Sequence, residues 1–228
     1  MDRTDDYQVA LKWASAHRPE GVTPSVWIPK SGFQYAIQND DGSVSFTRDG
    51  NPNFGLGIGP DPIIDENWQR FALPRNLAKE KTLKFKLVNR WDPYQISTCD
   101  FKDFHGASEI DTTGIKEFLD ENAPESSVYP GNPETIFWAG LRVNNELVAI
   151  GSVGIWESGK PVISSIATKI SERGKGYGTA ITAAIVAICN KRGIEKVFLA
   201  VNAKNEVASR VYEKIGFQSI GKFNTFER

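Results

Sequence analysis

Cysteine, histidine and methionine are nearly absent from this 228-residue chain, which has two Cys, two His and one Met. Two thiols, Cys99 and Cys189, cannot build the disulfide framework of a small secreted domain, and Cys189 falls on the apolar side of a helical pattern. A reducing cytoplasm is therefore the expected compartment. His17 and His105 stand alone, and no Cys, His and acidic residues share metal-ligand spacing, so no metal site is expected. An excess of one charge is missing too. The 27 Lys and Arg nearly balance 28 Asp and Glu, leaving a net charge of −1, which argues against a general nucleic-acid binder. No apolar run approaches a membrane span. Met1-Asp2-Arg3-Thr4-Asp5-Asp6 has neither the basic nor the apolar region of a signal peptide. What is present, 40% hydrophobic and 24% charged residues, describes a soluble globular protein of one domain, or one domain with an appendage.

Charge is spread unevenly. Residues 169–222 carry ten Lys/Arg against four Glu, a local +6 that leaves −7 elsewhere. A positive block suits a polyanionic ligand, although solvated helix faces explain such charges equally well.

The first 80 residues read as a helix capped by Thr4, with Val9, Trp13 and Ala16 on one face, followed by a hairpin. In that hairpin Phe33, Tyr35 and Ile37 alternate before Asp40-Asp41-Gly42 turns into Val44 and Phe46. Residues 50–62, rich in Gly and Pro, read as an irregular loop, and Ile64, Trp68 and Phe71 as a short helix ending before Pro74. Composition shifts near residue 80, dividing the chain into 1–80 and 81–228. Beyond it Leu83, Phe85 and Leu87 alternate as a strand, and Ile115, Phe118 and Leu119 form a helical stripe behind Asp111, Thr112 and Thr113. Residues 134–143 and 146–156 make an antiparallel pair joined at Asn144-Asn145. A strand over 162–168, a long helix with Ile181, Ala184, Ile185 and Ile188, a strand over 197–201, an amphipathic helix and a last strand complete the order.

The most informative stretch is Arg173-Gly174-Lys175-Gly176-Tyr177-Gly178-Thr179, between a strand and a helix. Glycines there let backbone N–H groups approach a ligand, and the helix start adds positive potential, so phosphate is the natural guest. P-loop spacing is absent, and the dinucleotide fingerprint needs glycine at 179, where Thr179 stands. Taken alone, Arg-x-x-Gly-x-Gly is also compatible with a plain turn. After the next strand comes Asn202, then Asn205-x-x-Ala208-x-x-x-Tyr212-x-x-x-Gly216-Phe217. Here Ala208, Val211, Tyr212 and Ile215 share a helical stripe, and Gly216 sits where a helix end takes a left-handed residue.

In this order, the two blocks resemble the acyl-CoA pyrophosphate loop and the last helix of the GNAT N-acetyltransferases. The resemblance covers roughly residues 81–228 and is sharpest over 162–217. It implies a mixed α/β fold, a GNAT-like central mixed sheet flanked by helices, with residues 1–80 as an additional small region. It also implies acetyl-CoA as cosubstrate and a primary amine, small molecule or peptide, as acceptor. Backbone groups of Ile166, Ala167 and Thr168 would pair with the pantetheine arm, as an added strand pairs with a sheet edge. Arg173, Gly174, Lys175, Gly176, Tyr177, Gly178 and Thr179 would hold the pyrophosphate, mainly through amides, with Lys175 and Arg210 as further phosphate contacts. Asn205 matches a position that contacts the cofactor, and reads equally as the N-cap of its helix.

The chemistry needs a proton removed and a proton supplied. A lysine-like amine has a reference pKa near 10.4, so roughly one in a thousand or fewer is neutral at pH 7. The departing thiolate benefits from a donor. In the family a tyrosine at the position of Tyr212 points at the sulfur; a core tyrosine is the plainer alternative. Residues 162–168 hold no carboxylate, so Glu157 at the end of the preceding strand is the candidate base, with Glu134 or a water chain as alternatives. Trp138 and Trp156 could line an acceptor pocket or fill the core. A non-catalytic acyl-CoA-binding module is the other functional class. Residues 1–80 have shaping of the acceptor site, homodimer formation or covering of the sheet as open roles.

Overall fold

The computed structural model describes residues 1–99, 101 and 106–228; His105 lies outside the described residues. The N-terminal part comprises β1 (Asp2–Thr4), α1 (Tyr7–Ala14), a short α2 (Pro24–Trp27), β2 (Phe33–Gln38), β3 (Val44–Arg48), β4 (Phe54–Ile58) and β5 (Arg70–Pro74). There follow β6 (Lys86–Ser97), β7 (Ala107–Ile110), α3 (Ile115–Asn122), β8 (Thr135–Val143), β9 (Glu146–Ile155) and β10 (Pro161–Thr168). The chain closes with α4 (Tyr177–Lys191), β11 (Lys196–Asn202), α5 (Glu206–Ile215), β12 (Gln218–Ser219) and β13 (Phe223–Glu227). Among the described residues the strands form one 13-stranded mixed sheet, ordered β1-β2-β3-β4-β5-β13-β6-β11-β10-β9-β8-β7, with β12 against β6. This is the expected mixed α/β architecture, a large sheet flanked by helices.

Alternation sets the two faces of the sheet. Ile163, Val197, Leu199 and Val201 meet Ile181, Ile185 and Cys189 of α4 and Tyr212 of α5. Val162 and Phe198 point the other way, toward Val26, Ile220 and the half-buried Trp27 and Trp156. Further out on β8–β10, α3 covers Trp138, Ile150 and Ala167. The sequence of the N-terminal part misleads in four places. Asp6, not Thr4, caps α1, accepting from the amides of Gln8 and Val9. The buried face of α1 is Ala10 and Ala14, while Val9 and Ala16 are exposed. Within the glycine-rich stretch lies β4, because Gly55 lets the Trp68 ring lie against the backbone; a Cβ there would stand 1.9 Å from the indole. Phe71 belongs to strand β5 rather than to a helix. His17 Nε2 lies 2.7 Å from the Gly42 carbonyl, which ties α1 to the β2–β3 turn.

β13 lies between β5 and β6, antiparallel to both. The last strand of the chain therefore joins the N-terminal strands to the rest of the sheet. No helix among the described residues is long and apolar enough to cross a membrane.

Candidate active site

β10 and β11 run parallel but meet only at Val162↔Phe198. Beyond that point β10 keeps β9 on one side, with Ala167↔Ile150 and Thr168↔Ala149. A bulge precedes those pairs. Ser164 opposes Ser152 and Ala167 opposes Ile150, so Ser165 and Ile166 together face Gly151. Ser165 adopts φ +52, an unusual value for a residue with a Cβ and typical of such a kink. Its Oγ accepts from the Val128 amide at 3.2 Å and donates to the Val128 carbonyl at 2.7 Å, which holds the kink in place. After the bulge Ile166 packs with the α4 and α5 cluster and Ala167 with the α3 cluster. The result is a gap between the two strands, edged by the backbone of Ile166, Ala167 and Thr168.

The glycine loop sits at the open end of that gap. Gly174 and Gly176 have φ values of +81 and +86, and a Cβ added to either would meet nothing within 4 Å. The space above them is open, as close approach of a ligand to the backbone requires. Gly176 is the N-cap of α4 and gives no side-chain cap, so the first-turn N–H groups of Tyr177, Gly178 and Thr179 keep their capacity for an anion. Arg173 is a strut of the loop. Its Nη2 donates to the Asn122 carbonyl at 2.6 Å and its Nε to the Thr168 carbonyl at 3.4 Å. Asn122 Oδ1 in turn accepts from the Ile170 amide at 2.8 Å. Lys175 pairs with Glu172 at 2.9 Å, and the hydrogen bond from that carboxylate raises the lysine pKa.

On the β11 side, Asn205 caps α5, its Oδ1 accepting from the Ala208 amide at 3.1 Å. Arg210 is exposed and lies 3.6 Å from Glu206. Tyr212 is 8% exposed, with its ring 6.0 Å from Tyr94 and 5.7 Å from Phe217. Burial pushes its pKa up to about 12. Among the described residues no group hydrogen-bonds its hydroxyl, which leaves the donor uncommitted. Tyr94, whose pKa is also raised chiefly by burial, donates to Glu213 Oε1 at 3.2 Å.

Residues 166–168 edge the gap and the loop 173–179 follows them, while Ile166 and Tyr177 pack against the core cluster that contains Tyr212. Glu157 does not join them. It lies next to the start of β10, at the strand end away from the glycine loop, where Ser31 Oγ donates to its Oε1 at 2.8 Å. Glu134 is beside it, accepting from the Glu157 amide at 3.1 Å. Trp138 is buried in the α3 cluster, whereas Trp156 stands edge-on to Trp27 at 6.2 Å. Three residues around the gap carry no local mark in the sequence that sets them apart as residues 173–179 are: Ser165, Asn122 and Tyr94. Of these, Asn122 comes nearest, as a polar residue ending an otherwise amphipathic turn.

The acetyltransferase (GNAT) family model matches residues 94–217. A GCN5-related N-acetyltransferase from Kribbella flavida superposes with a TM-score of 0.58 at 16% identity, over 96% of this chain and 95% of its own. One from Sphaerobacter thermophilus gives 0.55 at 13% identity, over 85% and 79%. A GNAT-family acetyltransferase from Colwellia psychrerythraea gives 0.53 at 11% identity, over 100% and 99%. At such identities the likeness is one of fold, and in the first and last it extends into residues 1–80. No curated protein matches the chain.

Proposed function

The chain belongs to the GNAT acetyltransferase family, and from that premise we propose that it transfers an acetyl group from acetyl-CoA to a primary amine, small molecule or peptide. The observation that carries this reading is the parting of β10 from β11 beyond Val162↔Phe198, with the glycine loop at its open end. The residues fit the cosubstrate. A strand edge offers backbone groups to the amides of a pantetheine arm, and the open cradle over Gly174 and Gly176 offers amides to a pyrophosphate.

Acetyl-CoA, when bound, supplies an activated acyl thioester. The chain's own groups do the rest. Backbone N–H groups at the bulge, near Ile166 and Ala167, are suited to polarising a carbonyl. Tyr212, which burial keeps protonated well above neutral pH, donates a hydrogen bond that stabilises the charge developing on the departing sulfur. Glu157, with Glu134 beside it, takes the proton of the amine through water, since neither carboxylate borders the gap directly. Residues 1–80 contribute to the acceptor side, where Ser31 meets Glu157 and Trp27 meets Trp156.

The displacement of both carboxylates from the gap is also what favours the second reading, an acyl-CoA-binding module without acceptor chemistry. Thiol release from acetyl-CoA against a panel of primary amines, paired with melting curves in acetyl-CoA alone, separates the two. Amine-dependent release is the expected result. A melting shift without any release leaves the binding module, and neither signal defeats both readings.

A further inference from the structure

A cleft of about 440 Å³ lies between residues 75–90, β13 and the loop that joins β11 to α5. Four cations line it, Arg75, Lys79, Arg90 and Lys204, and no acidic side chain does. Arg75 is neutralised by an ion pair with Asp92. Nearby cations are matched likewise, Lys81 by Asp61, Arg70 by Glu227 and Arg210 by Glu206. Lys79, Arg90 and Lys204 have no acidic partner among the described residues. In a chain of net charge −1, three uncompensated positive charges facing one cleft are a specific arrangement rather than a background.

Two further observations point to a ligand. Arg75 Nε and Asn224 Oδ1 in the cleft wall are shielded from solvent and have no hydrogen-bond partner. Such atoms are costly to leave unpaired, and both belong to residues that line the cleft. The floor, by contrast, is apolar: Leu77, Leu87 and Phe226. Leu87 is 41% exposed, which suits a surface covered when a ligand's apolar body settles on it.

We propose that this cleft binds a phosphate group, with the rest of the ligand on the Leu77, Leu87 and Phe226 floor. A doubly charged phosphate matches three free cations better than a singly charged carboxylate does, and the guanidinium of Arg90 supplies paired donors for it. The phosphate has two sources, a separate phosphate-bearing metabolite or the phosphate that CoA carries outside its pyrophosphate. Lys204 lies in the loop between β11, which edges the proposed cofactor gap on its other side, and α5, which Asn205 caps. The second source rests on the acetyltransferase reading; the first does not.

The test is titration of inorganic phosphate into the full chain, followed by amide NMR, because the glycine loop is itself a phosphate site. Shifts at Ala203, Lys204 and Asn224 report the cleft, and shifts at residues 174–178 report the loop. The Arg90→Ala, Lys204→Ala double variant removes two exposed side chains and should weaken the cleft response by about tenfold or more while sparing the loop. Shifts confined to the loop, or an unchanged cleft response in the double variant, would overturn the proposal. Acetyl-CoA and its 3′-dephospho form then identify the source. A loss of affinity in the double variant for acetyl-CoA alone assigns the cleft to the cosubstrate. Phosphate that still shifts Lys204 beside saturating acetyl-CoA assigns it to a separate ligand. Should acetyl-CoA not bind at all, the acetyltransferase reading fails and the inorganic phosphate titration still decides the cleft.

Discussion

Tyr212 and Cys189 both sit in the core around α4, and burial acts on both in the same direction. Tyr212 is held protonated to about 12, so its hydroxyl is a donor throughout the neutral range. Tyr212→Phe keeps the ring contacts to Tyr94 and Phe217 and removes only that donor. Turnover should fall by on the order of 10²-fold, as general-acid contributions do, with acetyl-CoA affinity little changed. Full activity in the Phe variant would return Tyr212 to the role of a core residue. The raised pKa also has a consequence for stability. The folded state holds the proton more tightly than the unfolded state, so this contribution is complete below pH 10 and is lost as pH rises toward 12. Urea midpoints measured between pH 9 and 12 should therefore decline less steeply in Tyr212→Phe, with Tyr7, Tyr94 and Cys189 among the groups that supply the remaining slope. Cys189 is fully buried and its thiol is pushed up to about 12, whereas Cys99 is exposed. A thiol reagent at pH 8 should label Cys99 alone in the native chain and both cysteines in denaturant. Native labelling of Cys189 would show that the α4 core opens readily.

Elements differ in how plainly the sequence announces them, and the glycine loop is the plainest. Gly174 and Gly176 hold left-handed backbone with open space above them and serve no packing, so their spacing survives as a readable pattern. The paired strands β8 and β9, the long helix α4 and the cap Gly216 were legible for a similar reason: local periodicity and turn chemistry determine them. Strand β4 was not. Its glycines serve tertiary contact with Trp68 and Leu73, which a local reading mistakes for loop composition. Nor was the bulge legible. Ser165 is held at positive φ by Val128, 37 residues away, and no neighbour in sequence signals that. Glu157 is close to β10 along the chain, yet it sits at the start of that strand, and the length of β10 separates it from the gap. For the loop, Gly176→Val should abolish the rise in melting temperature that acetyl-CoA produces. The free protein should lose only about 1–2 kcal/mol, the cost of a Cβ in the left-handed region, because nothing crowds the position. A folded variant with an unchanged ligand shift would reduce the loop to a turn.

At the scale of the molecule, the sheet depends on its last strand. β13 pairs with β5 through Phe223↔Pro74 to Glu227↔Arg70, and with β6 through Phe223↔Trp91 to Glu227↔Lys86. Phe223 is fully buried, stacked on Trp91 at 4.9 Å, and shares a cluster with Phe46, Leu56 and Ala72 of the N-terminal strands. Thr23 adds a buried bond to the Ile220 carbonyl at 2.9 Å. If the sheet is one cooperative unit, damage at this junction must be felt on both sides of it. Phe223→Ala should cost about 3–5 kcal/mol, the range for emptying a buried aromatic site. Hydrogen exchange should then accelerate together in β3, on the N-terminal side, and in β9, which pairs with β10 on the side away from the proposed cofactor gap, because both would open through the same global unfolding. Faster exchange in β3 with β9 unaffected would mean that residues 1–80 unfold by themselves. In that case the boundary near residue 80 is an energetic one as well as a compositional one, and the N-terminal strands could be removed without loss of cofactor binding.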